Sequence, residues 1–160
     1  MKQSWLLLLG VWAFYAVYLC SPSFVHSSNA KGGYSYMQGW QHTWFFGGLL
    51  TCVLKLNEAE TMTFLFVALP MLLAETGFIV LPFLHFKKIF RHRWPQFFLA
   101  GVFVAGGISF DWLVRYDIKM EYGVGQGVYF WLAAAVCALI YCLLSAVSPE
   151  WQAGKTILKN

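Results

Sequence analysis

Residues 124–147 read VGQGVYFWLAAAVCALIYCLLSAV, and none of them is charged. A helix crosses the hydrocarbon layer of a bilayer in about 20 residues, so this run is long enough to span. Three other runs share its character: Trp5–Cys20, Met62–Leu84 and Phe97–Val114. Across the 160 residues, 59% are hydrophobic and 11% are charged. A soluble domain is about a quarter charged. Eleven Lys+Arg and seven Asp+Glu cannot coat a water-soluble globule of this size. That balance excludes a disordered chain, a collagen-like repeat and a water-soluble enzyme. The expected fold is an all-α membrane protein, a four-transmembrane-helix bundle forming one domain over residues 1–160. Its first outer loop, 21–61, is expected to carry a small extracellular β element.

The first run begins one turn after Lys2 and ends at Ser21-Pro22, a helix stop. A basic residue followed by an apolar core also describes a signal peptide, but no small-x-small cleavage site follows promptly. Lys and Arg accumulate in short cytoplasmic loops. The connection from His85 to Gln96 holds Lys87, Lys88, Arg91 and Arg93 and no acid. With four spans, Lys2, Lys155 and Lys159 fall on that same side. On the other side Lys31, Lys55, Arg115 and Lys119 are balanced by Glu58, Glu60, Asp117 and Glu121. Both termini are therefore expected in the cytoplasm of a multi-pass protein, in the plasma membrane.

A further apolar stretch, Trp44–Leu56, has 13 residues and a Gly47-Gly48 break, short for a crossing. Turn chemistry from Ser27 to Gly33 precedes it, and Asn57-Glu58 follows. Tyr34, Tyr36, Trp40, Thr43, Trp44, Phe45 and Phe46 suit extended structure. Gly33–Leu56 is accordingly expected as outer-face strands, with a re-entrant or fifth helix as the rival.

Three places in this layout carry a resemblance. Trp40 is followed by Gly48-Leu49-Leu50-Thr51-Cys52; Glu58-Ala59-Glu60-Thr61-Met62 leads into the second run; and Tyr122–Trp131 forms an aromatic-glycine lead into the fourth. Together with the tetraspan layout they resemble the claudin, peripheral-myelin-protein-22 and calcium-channel gamma-subunit superfamily. Leu50 stands where that family has a second Trp, and Cys52 has no close Cys successor. The resemblance implies a protein that binds other membrane proteins. The missing cysteine pair favours an auxiliary subunit over a junction-strand former.

Glu75 falls near the middle of the second run, where an acid is expensive. It is either a proton- or cation-handling group or a protonated carboxyl that hydrogen-bonds a neighbouring helix. Asp111 and Arg115, four apart, read as a charged vestibule or as an interfacial pair. Gly101, Ala105 and Ser109 form a small-residue stripe, as do Ala134 and Ala138. Such stripes let helices approach closely, inside the bundle or against a partner. Cys20, at the outer end of the first run, is expected to bridge to Cys52 in an oxidising exterior; the rival is two free thiols. His26 and His42 fall in the outer loop, and His85 and His92 in the inner one. No metal or cofactor is expected, since no histidines pair at helical spacing within a run. Walker, Gly-x-Ser-x-Gly and His-Glu-x-x-His patterns are absent.

The expected function is a non-enzymatic tetraspan, an auxiliary subunit of a channel or receptor complex or an adhesion and cell-junction component. Its partners are membrane lipids and larger membrane proteins, not nucleic acid. Contacts are assigned to Trp40, Trp44, Phe45 and Phe46 of the outer loop and to Gly101, Ala105 and Ser109. The alternative is a small inner-membrane enzyme or transport subunit in which Glu75 handles protons or a cation.

Overall fold

The computed structural model describes residues 2–28, 33–41, 66, 69–85, 92–112 and 122–147. The described chain is mostly helical. Helix α1 covers Lys2–Cys20, α2 Leu69–His85, α3 Arg93–Trp112 and α4 Gln126–Val147. Strand β1 is Pro22–Ser28, β2 is Gly33–Gln38 and β3 is Tyr122–Val124. By length and composition α4 is a candidate membrane span, with shorter apolar stretches at Trp5–Cys20 and Leu69–His85.

Each helix buries one stripe at the 3–4 residue spacing that puts side chains on one face. In α1 the stripe is Leu8, Val11, Tyr15 and Tyr18; in α2 it is Met71, Ala74, Glu75, Phe78 and Leu81. Neighbouring helices run antiparallel. Gly10 lies against Cys137 while Phe14 faces Phe130, so α1 and α4 pair in opposite senses. Gly77 meets Phe103 and Gly106 meets Ala74, which does the same for α2 and α3. A Cβ on Gly106 would come within 2.6 Å of Ala74 Cβ and 3.0 Å of the Pro70 carbonyl. Glycine here lets the α2 and α3 backbones approach closely.

One end of the helices carries a sheet of order β2-β1-β3. Pro22 opens β1, a position where its missing N–H costs the ladder little. The β1–β2 register shifts between Pro22 and Phe24, a bulge that leaves Ser23 as the extra residue. Ser23 is buried, and its carbonyl accepts from the Gly125 amide at 2.9 Å. A Cβ on Gly125 would collide with the Pro22 carbonyl, so the lead into α4 has no room for a larger residue. The sheet thus ties the end of α1 to the start of α4.

The structure redraws several sequence-based boundaries. α3 starts at Arg93 rather than Phe97, and Val124, expected as the start of the fourth run, ends β3. The expected strand region Gly33–Leu56 is extended over Gly33–Gln38, after which residues 39–41 turn helical. Residues 42–56, including the 44–56 stretch, lie outside the described residues. The Ser27-Ser28 turn signal belongs instead to β1, where Ser27 pairs with Tyr34 and Ser28 with Gly33.

Candidate functional site

Glu75 occupies the inward stripe of α2 and is 3% exposed. Its Oε1 accepts two hydrogen bonds from two other helices. The Tyr18 hydroxyl of α1 donates at 3.3 Å, and Trp131 Nε1–H of α4 donates at 3.2 Å. α3 closes the site through Phe110, whose ring stacks on Trp131 with centroids 4.4 Å apart and planes at 15°. Phe78, one turn beyond Glu75, stands edge-on to Trp131 at 5.4 Å and stacks on Phe103 at 5.4 Å. Tyr15 tilts against Phe78 at 5.2 Å and stacks on Tyr18. Every helix therefore contributes an aromatic ring around one carboxyl group.

The sequence position suggested mid-membrane, but the structure levels Glu75 with helix ends. Tyr18 is two residues from the end of α1, and Phe110 is two residues from the end of α3. The site therefore lies within about one to two turns of the sheet-bearing end. An acid near a helix end is less costly to hold than one at mid-bilayer. Chemically, the arrangement uses Glu75 Oε1 as an acceptor that joins α1, α2 and α4. Tyr18 and Trp131 were not singled out as its partners by sequence reasoning. Their signal was the alignment of a phenol and an indole, each with one donor, on inward stripes.

The small-residue stripe of α3 divides. Gly101 and Ala105 are exposed, and a Cβ built on Gly101 meets nothing within 4 Å. Ser109 is buried, and its hydroxyl donates to the Phe66 carbonyl at 2.9 Å. Ser109 is thus an internal residue, which corrects its grouping with a partner-facing stripe. The close helix approach falls on Gly106 instead. Ala134 and Ala138 are fully buried inside the helix packing. Trp40 is 47% exposed, with its Nε1–H donating to Gln38 Oε1. Trp44, Phe45 and Phe46 lie outside the described residues. Cys20 is an exposed free thiol, so the bridge expected at Cys20 is not formed in this structure; Cys52 lies outside the described residues. Asp111 is exposed on α3, and Arg115 lies outside the described residues.

A second polar cluster marks the opposite end. His85, read from sequence as a loop residue, is the last residue of α2. Its Nδ1 is hydrogen-bonded to the Tyr141 hydroxyl, and Trp5 stands edge-on to its ring at 5.3 Å. A histidine at a helix C-terminus suits the helix dipole. Tyr141 continues the inward stripe Trp131, Ala134, Ala138 of α4. Among the described residues no group of three His, Cys, Asp or Glu side chains could hold a metal ion. No family model matches this chain, and no curated protein or solved structure matches it either.

Proposed function

We propose that this protein is a multi-pass, four-span membrane protein that works by binding other membrane proteins, without enzymatic chemistry. It fits an auxiliary subunit of a channel or receptor complex, or an adhesion component, in line with the claudin-like resemblance. Both termini and the Lys87–Arg93 connection face the cytoplasm in this reading, and the three-stranded sheet faces outside, at the plasma membrane.

The four-span part draws support from where charge falls. Over all four helices the charged residues are Lys2, Glu75, Arg93 and Asp111, and all but Glu75 lie in terminal turns. The outward faces carry residues such as Leu6, Phe83, Phe98, Ile108 and Val136. A water-soluble bundle would place polar side chains there. With 19 and 20 residues, α1 and α3 are about 28 and 30 Å long, matched to a hydrocarbon core of about 30 Å.

The observation that carries the non-enzymatic reading is the engagement of Glu75 by Tyr18 and Trp131 inside a packed aromatic core. A carboxyl used as an inter-helix acceptor serves packing, which leaves the outer surfaces for function. The open Gly101–Ala105 face of α3 and the exposed Trp40 are where a partner's helix and outer domain would dock. The test is Glu75→Gln, read by partner co-purification beside proton and cation flux in proteoliposomes. The proposal expects a folded, partner-bound variant with no flux in either form. Flux in the wild type that disappears in a folded Gln variant would turn the reading to transport.

A further inference from the structure

Proline has no N–H to give the carbonyl four residues before it, so a proline in a helix interior leaves one carbonyl lacking its helical donor. In a membrane-like interior such a carbonyl must find another donor. Pro70 falls in the first turn of α2, where its missing N–H breaks no helical bond, whereas Pro82 lies inside the helix. The carbonyl concerned is that of Phe78. It receives a side-chain donor from another helix: Trp12 Nε1–H of α1 donates to it at 3.0 Å.

We infer that Trp12 is a positioning residue that closes the break opened by Pro82, and so fixes the Glu75-bearing stretch of α2 against α1. The inference stands independently of the partner-binding reading. Its internal consistency lies in which carbonyl is used. Trp12 is partly exposed and packs beside Phe83, with centroids 6.0 Å apart, so its ring runs along the proline turn. The carbonyl it reaches belongs to the residue whose ring meets Trp131, Phe103 and Tyr15. Glu75 lies three residues before Phe78, less than one turn along α2. Holding that carbonyl therefore sets the position of the carboxyl relative to Tyr18 and Trp131. An unconstrained proline helix would bend at this point.

A double-mutant cycle in mixed micelles, with unfolding driven by SDS, tests the pairing. Trp12→Phe keeps a ring and removes the N–H; we expect the folded-to-unfolded ratio to fall about threefold to tenfold. Pro82→Ala supplies the backbone N–H that Phe78 lacks. In that background Trp12→Phe should cost less than about twofold, because the helix now satisfies its own carbonyl. Equal losses in both backgrounds would overturn the inference. Should Trp12→Phe fail to accumulate as folded protein, recovery of folded protein on adding Pro82→Ala supports the pairing, and no recovery overturns it. The positioning role is read separately from the infrared carboxyl band of Glu75, assigned by its loss in Glu75→Gln. That band should shift in Trp12→Phe and return in the Trp12→Phe/Pro82→Ala protein. A band that stays unmoved refutes the positioning of Glu75.

Discussion

Glu75→Ala withdraws one acceptor oxygen from two buried donors on two different helices. In a protein core each buried donor deprived of its acceptor costs about 1–3 kcal/mol. Hydrogen bonds between helices in a bilayer are weaker, averaging about 0.6 kcal/mol. Two such bonds and the contacts of a buried side chain place the loss at about 2–4 kcal/mol. Glu75→Gln behaves differently, since its amide oxygen accepts from Tyr18 and Trp131 at nearly unchanged volume. Its cost should stay below about 1 kcal/mol. Glu75→Lys places an ammonium, or its neutralised amine, against Trp131 and Phe78, and should not accumulate as folded protein. SDS titration in mixed micelles, followed by far-UV circular dichroism, measures all three on one scale. A Gln variant that unfolds as readily as the Ala variant would refute the reasoning. The carboxyl would then act through its charge or its proton rather than through the two bonds.

Gly106→Leu should abolish folding, because its Cβ alone would sit 2.6 Å from Ala74 Cβ and 3.0 Å from the Pro70 backbone. Gly101→Leu, built into open space, should fold at least as well as wild type, helped by about 1 kcal/mol of helix propensity, yet lose its partner in co-purification. Gly101→Leu that unfolds, or keeps its partner, counts against the outward α3 face as a docking surface. Trp131→Phe should cost about 1–2 kcal/mol in the same SDS titration by removing the N–H to Glu75 while keeping a ring against Phe110. A neutral outcome would mean that the indole donor adds nothing to the site.

The α4 run was legible because 22 residues without a charge admit one structure. The end of α1 was legible because Ser21-Pro22 stops a helix and Pro22 then starts a strand. Glu75 stood out because an acid in an apolar run is expensive, but its partners did not. Tyr18 and Trp131 lie 57 and 56 residues away, and nothing local pairs them with a carboxyl. The third strand shows the same limit. Tyr122–Val124 is three residues long with a central glycine, and becomes a strand through pairing with Phe24–His26 of β1. The α3 stripe failed for a geometric reason. At 3.6 residues per turn an i, i+4 step advances about 40°, so two steps carry the stripe roughly 80° around the helix. Gly101 and Ser109 consequently fall on opposite sides of the boundary between the outward and inward faces, and the inward stripe runs through Ala100, Phe103, Gly106 and Phe110.

The four-span orientation is tested most directly by two single-cysteine proteins in a cysteine-free background, Lys88→Cys and Lys119→Cys. Intact cells are treated with a membrane-impermeant maleimide before and after permeabilisation. The account predicts that Lys119→Cys labels at once and that Lys88→Cys labels only after permeabilisation, because the proposed orientation assigns the Lys87–Arg93 cluster to the cytoplasmic face by its excess of Lys and Arg. Labelling of Lys88→Cys in intact cells, or of both positions only after permeabilisation, would contradict it.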